Sequence, residues 1–379
     1  MKALFIKKLA TISIVLAWSI PALHAADGYP PFSWDTVPTY AHMANRSDDF
    51  TSEQLDFLAE HFDFITIEKG QATRKHGSMD KGFAIAAKGI KQRNPNAKVL
   101  FYLNSTIKIG GYEANERFPI DGELKSTEGE RLTIFGSIPF FDLTQPEVRT
   151  WWEDTAHAAV RDLGADGIFI DAINKMNNAN RRRVLTPQKI DALNTGILSM
   201  LKQTREKIGS SKLMIQNGVP QKADDPAAAL LAVNDGAMDE HFVSSTKVNK
   251  EQLAADMEAF QKQAKAGKVM VCKTWPGFDW RDKELMGQPR AERSQLARER
   301  ITFALACFLV VAEPYSYFCY TWGYQGDDTG TFEWYPELDK PLGPPKGDAQ
   351  RIGWQYTREF AHAAVFVDIE TGEARIDWK

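Results

Sequence analysis

Residues 164–171 read Gly164-Ala165-Asp166-Gly167-Ile168-Phe169-Ile170-Asp171, a short apolar run that ends in a carboxylate. A helix-like run, residues 146–163, precedes it. A charged group is costly to bury, and α/β barrels build their sites where the carboxyl ends of buried parallel strands meet. The run therefore predicts a buried strand and, in Asp171, a functional residue at its end.

Strand-like and amphipathic helix-like runs alternate along the rest of the chain, an order typical of parallel strands joined by helical crossovers. Eight strands are predicted, at residues 39–43, 62–68, 99–104, 167–171, 213–217, 236–240, 269–273 and 317–322. Helices are predicted at residues 52–61, 81–93, 146–163, 187–208, 250–266 and 289–312. No glycine-rich phosphate-binding turn follows the first strand, so the pattern favours an α/β fold of the (β/α)8, or TIM, barrel type over a doubly wound sheet.

The N-terminus has the features of a secretory signal peptide, residues 1–25. Three lysines precede an apolar run, residues 9–20, and small residues follow it. This run is short for a membrane span, so we expect cleavage and export to the periplasm or the medium rather than anchoring. Residues 26–350 are predicted to form a catalytic barrel. Residues 351–379 are predicted to form a C-terminal segment whose β-hairpin packs on the barrel.

Composition narrows the classes of partner. The chain has 379 residues, 43% of them hydrophobic, and a net charge of −4, which removal of the three signal-peptide lysines takes to −7. An acidic surface is unsuited to neutralising phosphates, so we expect no nucleic acid partner. The only cysteines are Cys272, Cys307 and Cys319. They show no metal-ligand spacing, and we expect no metal, no cofactor, no later membrane span and a monomer. A Cys272–Cys319 bridge stays open, although buried free thiols are favoured.

Polar or aromatic residues close the predicted strands, and together they suggest a functional rim at the barrel mouth. They are His42, Glu68, Asn104, Asp171, Asn217, Glu240, Lys273 and Trp322, with Tyr102 and Trp275 beside two of them. Two long loops, residues 105–139 and 323–348, follow the third and eighth strands, and both are expected to wall a cleft at this face.

Asp171 and Glu240 are the candidate catalytic pair. Each ends an apolar strand, and the fourth and sixth strands lie on either side of the fifth, so both carboxylates face one cleft. Such a pair can act on a glycosidic bond, one as the protonated acid and the other as nucleophile or base. The competing interpretation for Asp171 is a helix N-cap. For Glu240 the competitor is Asp239, because strand alternation points one of the two outward.

The other rim residues are candidates for binding substrate. His42 and Glu68 would contact sugar hydroxyls or be buried structural groups, and Asp142 would contact substrate or cap the turn before the third helix. Lys273 with Trp275 could place a cation and an aromatic platform in the cleft. Further aromatic side chains that could stack on a pyranose, or simply pack, are Trp322, Tyr324 and Trp334.

Three classes of function remain after other chemistries are excluded. No His-x-His motif supports an amidohydrolase, and no Gly-x-Ser-x-Gly motif supports an esterase. The leading interpretation is an exported hydrolase of glycosidic bonds in a polysaccharide or oligosaccharide. The alternatives are a carbohydrate-binding barrel without catalysis and, more weakly, a hydrolase of acyl or amide bonds.

The chain resembles hypothetical glycosyl hydrolase family fifteen. The resemblance lies in the run ending at Asp171, and in residues 140–149, 335–345 and 356–360 with the final hairpin. It implies a glycosidase on a TIM barrel. More distantly, the chain is similar to exopolysaccharide hydrolases of the Pel and spherulin-like groups, in which carboxylates on strands four and six do the chemistry. That likeness implies the same role for Asp171 and Glu240.

Overall fold

A computed structural model describes residues 28–222, 224–243, 249–326 and 330–379. The predicted signal peptide lies outside the described residues. Within the described residues, no helix combines the length and the apolarity that a membrane crossing needs.

Eight parallel strands form the barrel, each within a few residues of its predicted position. They are β1 Ala41–Met43, β2 Phe64–Ile67, β3 Lys98–Asn104, β4 Gly167–Asp171, β5 Leu213–Asn217, β6 Gly236–Asp239, β7 Val269–Thr274 and β8 Ser316–Tyr320. Neighbours along the chain pair in that order. Parallel bridges between Thr39 and Phe318 and between Ala44 and Gln325 join β8 back to β1. The prediction of a (β/α)8 barrel is confirmed.

Helices connect the strands on the outside of the barrel. They are α1 Ser52–His61, α2 Met79–Arg93, α3 Pro146–Asp162, α4 Pro187–Ile208, α5 Pro226–Leu231, α6 Lys250–Lys265 and α7 Arg290–Val311. The six predicted helices are all present. The sequence pattern missed α5 and the short helices Thr73–His76, Ala179–Val184 and Lys283–Met286, which lie in the connections.

The barrel interior is filled by side chains at alternate strand positions. Leu100, Phe169, Ile215, Met238 and Val271 belong to one buried cluster inside the barrel. Gly167 allows close strand packing there, since a Cβ atom at this position would lie 2.1 Å from the carbonyl oxygen of Leu213. This period of two continues to the strand ends, and it decides which polar residues reach the mouth.

The three cysteines are buried free thiols, as the sequence favoured. A Cys272–Cys319 disulfide is therefore not formed, although β7 and β8 are paired and the register places Cys272 opposite Phe318 and Cys319 opposite Lys273. On neighbouring positions of a pleated sheet these two side chains point to opposite faces, so their sulfur atoms cannot meet.

The C-terminal segment holds more strands than the predicted hairpin. Its hairpin is present, but it is half of a four-stranded antiparallel sheet made of β9 Gln350–Ile352, β10 Gln355–Glu359, β11 Ala363–Asp368 and β12 Glu373–Trp378. Tyr356 and Val365 share a buried cluster with Ile301 and Leu305 of α7, so the sheet packs on that helix. The predicted hairpin is thus confirmed, with two further strands paired to it.

Arg358 of β10 anchors the sheet to the C-terminus of α7. Its side chain is 3% exposed. It donates hydrogen bonds to the carbonyl oxygens of Leu309, at 3.2 Å, and Ala312, and it pairs with Glu313 at 3.3 Å. These carbonyls are the ones that a helix terminus leaves without intrahelical partners, so one buried guanidinium satisfies the end of α7 and holds the sheet.

We therefore expect Arg358→Met to lower the free energy of unfolding by roughly 2–4 kcal/mol, because it leaves buried carbonyls and Glu313 without their donor. Denaturant unfolding measures the change. Arg375→Met is the matched control, since Arg375 lies in the same sheet but pairs with Asp377 at the exposed surface, where an ion pair contributes about 0–1 kcal/mol. Equal losses in the two variants would contradict the anchoring role.

Candidate active site

A cleft of about 740 Å³ opens at the carboxyl ends of the strands. Seven predicted site residues line it: His42, Glu68, Tyr102, Asn104, Asp171, Asn217 and Glu240. Most of them follow an inward-facing core residue by two positions, as Asp171 follows Phe169 and Glu240 follows Met238. The barrel interior therefore continues upward into a polar floor.

Asp171 is surrounded by hydrogen-bond donors. Tyr102 donates its hydroxyl and Asn104 its amide, at 3.2 Å, to Oδ2. Asn217 donates to Oδ1 at 2.9 Å, and the backbone N–H of Ala172 donates to the same oxygen at 2.7 Å. Ala172 has a φ of +66°, a left-handed backbone that a non-glycine residue seldom adopts. This turn brings its N–H to the carboxylate, and together the donors stabilise negative charge on Asp171.

Asn217 bridges the two candidate carboxylates. Its Nδ2 atom lies 2.9 Å from Asp171 Oδ1 and 2.7 Å from Glu240 Oε2. Two bonds of these lengths to one nitrogen cannot separate the two oxygens by more than their sum, 5.6 Å. The strand between the carboxylates therefore carries the group that sets their spacing.

Glu240 is held from two further directions. The Tyr324 hydroxyl, from the loop after β8, donates to Oε1, and the indole N–H of Trp275 donates to the backbone carbonyl at 2.9 Å. Burial, and next to it the charge of Glu240, raise the pKa of Tyr324 far above its usual value. The phenol therefore stays protonated and remains a donor.

Asp239, the competing carboxylate, does not line the cleft. It is affected by the charge of Asp256 on α6, outside the barrel, and the backbone N–H of His241 donates to it. Burial, followed by repulsion from Asp256, raises the pKa of Asp239 to about 7. The alternation of β6 thus sends Glu240 inward and Asp239 outward, in line with the choice made from the sequence.

Two basic groups, His42 and Lys273, lie beneath the carboxylates, and burial lowers the pKa of both. His42 is 1% exposed and neither ring nitrogen has a hydrogen-bond partner in the described structure. Burial, and then the nearby Lys273 and Lys69, lower its pKa well below the usual range, so the ring is neutral. Burial also lowers the pKa of Lys273, whose ammonium lies 4.5 Å from the centre of the Tyr324 ring.

Glu68 lies at the edge of the cleft floor, just after β2. It is 3% exposed and pairs with Lys69. Burial raises the pKa of Glu68, and the charge of Lys69 opposes that rise. Lys69 also lies over the Tyr102 ring, 4.5 Å from its centre. Lys69 was not predicted, because it follows the strand end and carries no motif of its own.

Four predicted binding residues lie away from the cleft surface. Asp142 pairs with Lys189 at 2.8 Å and accepts the hydroxyl of Thr144 at 2.6 Å, so it fixes the turn before α3. Trp322 is fully buried against Phe278, because inward alternation on β8 continues to Thr321 instead. The remaining two, Trp275 and Lys273, are buried behind Glu240 and are absent from the cleft lining.

Both long loops contribute to the cleft walls, as predicted. The loop after β3 supplies an apolar wall from Ile107, Ile109, Ile134, Phe135 and Ile138. The loop after β8 supplies Tyr324, whereas its Trp334 stacks on His61 at 3.9 Å, outside the cleft. Trp280 and Arg281, after β7, line the cleft too. Phe135 and Trp280 were not predicted, because their only signal in the sequence is an aromatic residue beside a turn-forming sequence.

Comparisons with known proteins agree with this architecture. The chain is similar to the cyclic α-maltosyl-(1→6)-maltose hydrolase of Arthrobacter globiformis, with 14% identity, a TM-score of 0.51 and coverage of 90% of this chain and 92% of that one. It is also similar to a family 31 dextranase of Flavobacterium johnsoniae, with 13% identity, a TM-score of 0.50 and coverage of 80% and 37%. Identities this low support the fold alone.

Sequence comparison assigns the family. A search of curated protein sequences finds no match. The profile of hypothetical glycosyl hydrolase family 15 matches residues 91–364, a segment that holds β4 to β8, Asp171 and Glu240. This confirms the resemblance seen in the sequence, and the chain belongs to hypothetical glycosyl hydrolase family 15.

Proposed function

We propose that this chain is an exported, retaining glycoside hydrolase of an oligosaccharide or polysaccharide, with Asp171 as nucleophile and Glu240 as general acid and base. The observation that carries the proposal is the pair of carboxylates bridged by Asn217 on the cleft floor. Both carboxylates face one cleft. A barrel that only binds carbohydrate does not need such a pair. Export rests on the signal-like sequence of residues 1–25.

The hydrogen bonds around each carboxylate support this division of roles. Asp171 accepts from Tyr102, Asn104, Asn217 and the N–H of Ala172, donors that favour the anionic form a nucleophile needs. The carboxylate of Glu240 accepts only from Asn217 and Tyr324 among the described residues. With fewer donors, it is the better candidate for the group that carries a proton to the leaving oxygen.

The reaction then proceeds in two balanced steps. In the first, an Asp171 oxygen bonds to the anomeric carbon, the bond from that carbon to the glycosidic oxygen breaks, and Glu240 gives this oxygen its proton. In the second, Glu240 takes a proton from water, the resulting hydroxide equivalent bonds to the anomeric carbon, and the bond to Asp171 breaks. Glu240 ends protonated, ready for another cycle.

The spacing of the carboxylates supports retention. Retaining glycosidases hold their carboxyl groups about 5–5.5 Å apart, whereas inverting ones hold them about 6.5–9.5 Å apart to admit a water molecule. The bridge through Asn217 limits the nearest oxygens to 5.6 Å. This limit lies close to the retaining range and below the inverting one.

The test of the proposed function is a glycan screen. The purified mature protein is incubated with soluble starch, dextran, xylan and glycol chitin and with oligosaccharides of each, and released reducing ends are measured. Asp171→Asn, which keeps the shape of the side chain, is the control, and we expect it to lower turnover by about 10³-fold or more. Equal activity in the variant would refute the assignment.

Retention predicts the configuration of the first product. Proton NMR during the first minutes of hydrolysis should show the anomer of the substrate linkage, with the opposite anomer appearing later by mutarotation. The reason is that two displacements at one carbon restore its configuration. If the inverted anomer forms first, the single-displacement mechanism replaces the one proposed.

The roles of the two carboxylates predict different behaviour with a good leaving group. The probe is the 2,4-dinitrophenyl glycoside of the sugar released in the screen, whose departure needs no proton. Glu240→Gln should give a rapid first turnover, a burst of dinitrophenol, followed by turnover slowed roughly 10²–10⁴-fold, because the glycosyl-enzyme then lacks its base. Asp171→Asn should give no burst. A burst in Asp171→Asn and none in Glu240→Gln would exchange the roles.

The variant Asp239→Asn tests whether Asp239 or its neighbour Glu240 is the catalytic carboxylate. Because the pKa of Asp239 is about 7 in the folded protein and ordinarily 3.8, the folded state holds an extra proton between those values and loses stability as the pH rises through them. The variant has no such loss. Its melting temperature should exceed that of the unchanged protein by more at pH 8 than at pH 5, with turnover unchanged. A loss of turnover like that of Glu240→Gln would place Asp239 in the site.

A further inference from the structure

Phe135 lies at the tip of a small hairpin in the loop after β3. Thr133–Ile134 pairs with Ile138–Pro139, and Phe135 and Gly136 form the turn with φ angles of +52° and +81°. A left-handed backbone suits Gly136, but an aromatic residue there is unusual and strained. The Phe135 side chain is also 86% exposed. The ring of Phe135 therefore stabilises the fold neither through its backbone conformation nor through burial.

The exposed ring has a defined position over the cleft. Phe135 lines it together with Ile109, Ile134 and Ile138 of the same loop. Those three isoleucines are partly buried against the outer core, so they support the wall from behind. Phe135 alone projects from the wall into water, at a point where an aromatic ring would meet whatever enters the cleft.

Trp280 lies on the facing wall. It follows β7, is 41% exposed and lines the same cleft. β3 and β7 are four positions apart in the order of eight strands, so in a closed barrel their loops stand opposite each other, with the carboxylates of β4 and β6 between them. Tyr324 contacts Trp280 edge-on at 5.1 Å and Trp275 lies 5.5 Å away, so Trp280 is firmly supported.

We propose that Phe135 and Trp280 are platforms for two different sugar rings of one chain, on opposite sides of the bond that is cleaved. Aromatic faces bind the apolar C–H face of a pyranose at little entropic cost. Two such faces on opposite walls hold an extended chain across the carboxylates. The substrate class is thus a glycan chain with units on both sides of the scissile bond, and this rests on the proposed function for the location of that bond.

The strain at Phe135 gives the inference a distinctive test. In Phe135→Gly the turn keeps its left-handed backbone without steric cost, so the melting temperature should stay the same or rise. Affinity for glycan should fall about tenfold or more, as for loss of a central aromatic contact. Phe135→Tyr should keep the affinity. Replacing a residue with a merely structural role would not lower the affinity for glycan while the stability of the fold rose.

Binding is measured by affinity electrophoresis through gels containing soluble starch, dextran, xylan or glycol chitin. All variants carry Asp171→Asn to prevent hydrolysis. The matched control is Ile120→Gly, since Ile120 lies in the same loop and is 98% exposed but does not line the cleft. We expect one of the polymers to retard the parent protein, Ile120→Gly to match it, and Phe135→Gly and Trp280→Ala each to be retarded less.

A second measurement uses the active protein and oligosaccharides of increasing length. The value of kcat/KM should rise with length until both platforms are occupied, and Phe135→Gly should remove part of that rise. Because the two rings contact different sugars, the effects of Phe135→Gly and Trp280→Ala should add as free energies.

The outcomes separate this inference from the proposed function. If the protein hydrolyses a glycan and Phe135→Gly binds glycan as tightly as the parent protein, the platform proposal is wrong and the proposed hydrolase function stands. Retardation that depends on Phe135, with no hydrolysis of any glycan, supports the platform and removes the hydrolase. Failure of all four polymers to retard the parent protein overturns the platform, and the screen with short oligosaccharides then decides the proposed function on its own. A lower melting temperature in Phe135→Gly also overturns it.

Discussion

The closure of β8 onto β1 is the constraint on which the site depends. The N–H of Tyr40 donates to the carbonyl of Phe318 at 2.9 Å, and that of Ala44 donates to the carbonyl of Tyr324 at 2.8 Å. The second bond holds Tyr324 beside the first strand, and from there its hydroxyl reaches Glu240 on β6. An open sheet would leave the first and last strands at opposite edges. Closure is what gathers groups from the ends of six strands and from the loops after β3, β7 and β8 around one cleft.

Given closure, the period of two along each strand selects the side chains of the floor. The same rule explains which residues at the strand ends reach the cleft. Asp171 and Glu240 are in phase with the packed interior, and so they face the mouth. Asp239 and Trp322 are one residue out of phase, and both face the outer layer instead. The end of a strand therefore indicates a cleft residue only when it is known which positions of that strand face inward. An inward residue such as Phe169 shows which positions these are.

What the sequence could predict follows from the range of each interaction. The barrel strands are short apolar runs, whose signal is local, and all eight were found. β10 was missed because one of its two fully buried inward positions is Arg358, so no apolar alternation marks the strand. The role of Asp142 stayed open between substrate contact and capping the turn, because its partner, Lys189, is 47 residues away in sequence. The Asn217 bridge was missed as well, since only the folded barrel shows that one amide spans both carboxylates.

His42 gives an independent argument for the kind of ligand that the floor accepts. A buried polar group without a partner costs about 1–3 kcal/mol, and both nitrogens of this ring lack one in the described structure. Because burial and the two neighbouring ammonium groups keep the ring neutral, it presents one donor and one acceptor. A hydroxyl, which donates and accepts at once, satisfies such a ring, whereas a carboxylate or phosphate can use only its donor. The floor beneath Asp171 and Glu240 is therefore matched to a polyhydroxylated ring, and this supports a sugar substrate without reference to the carboxylates themselves.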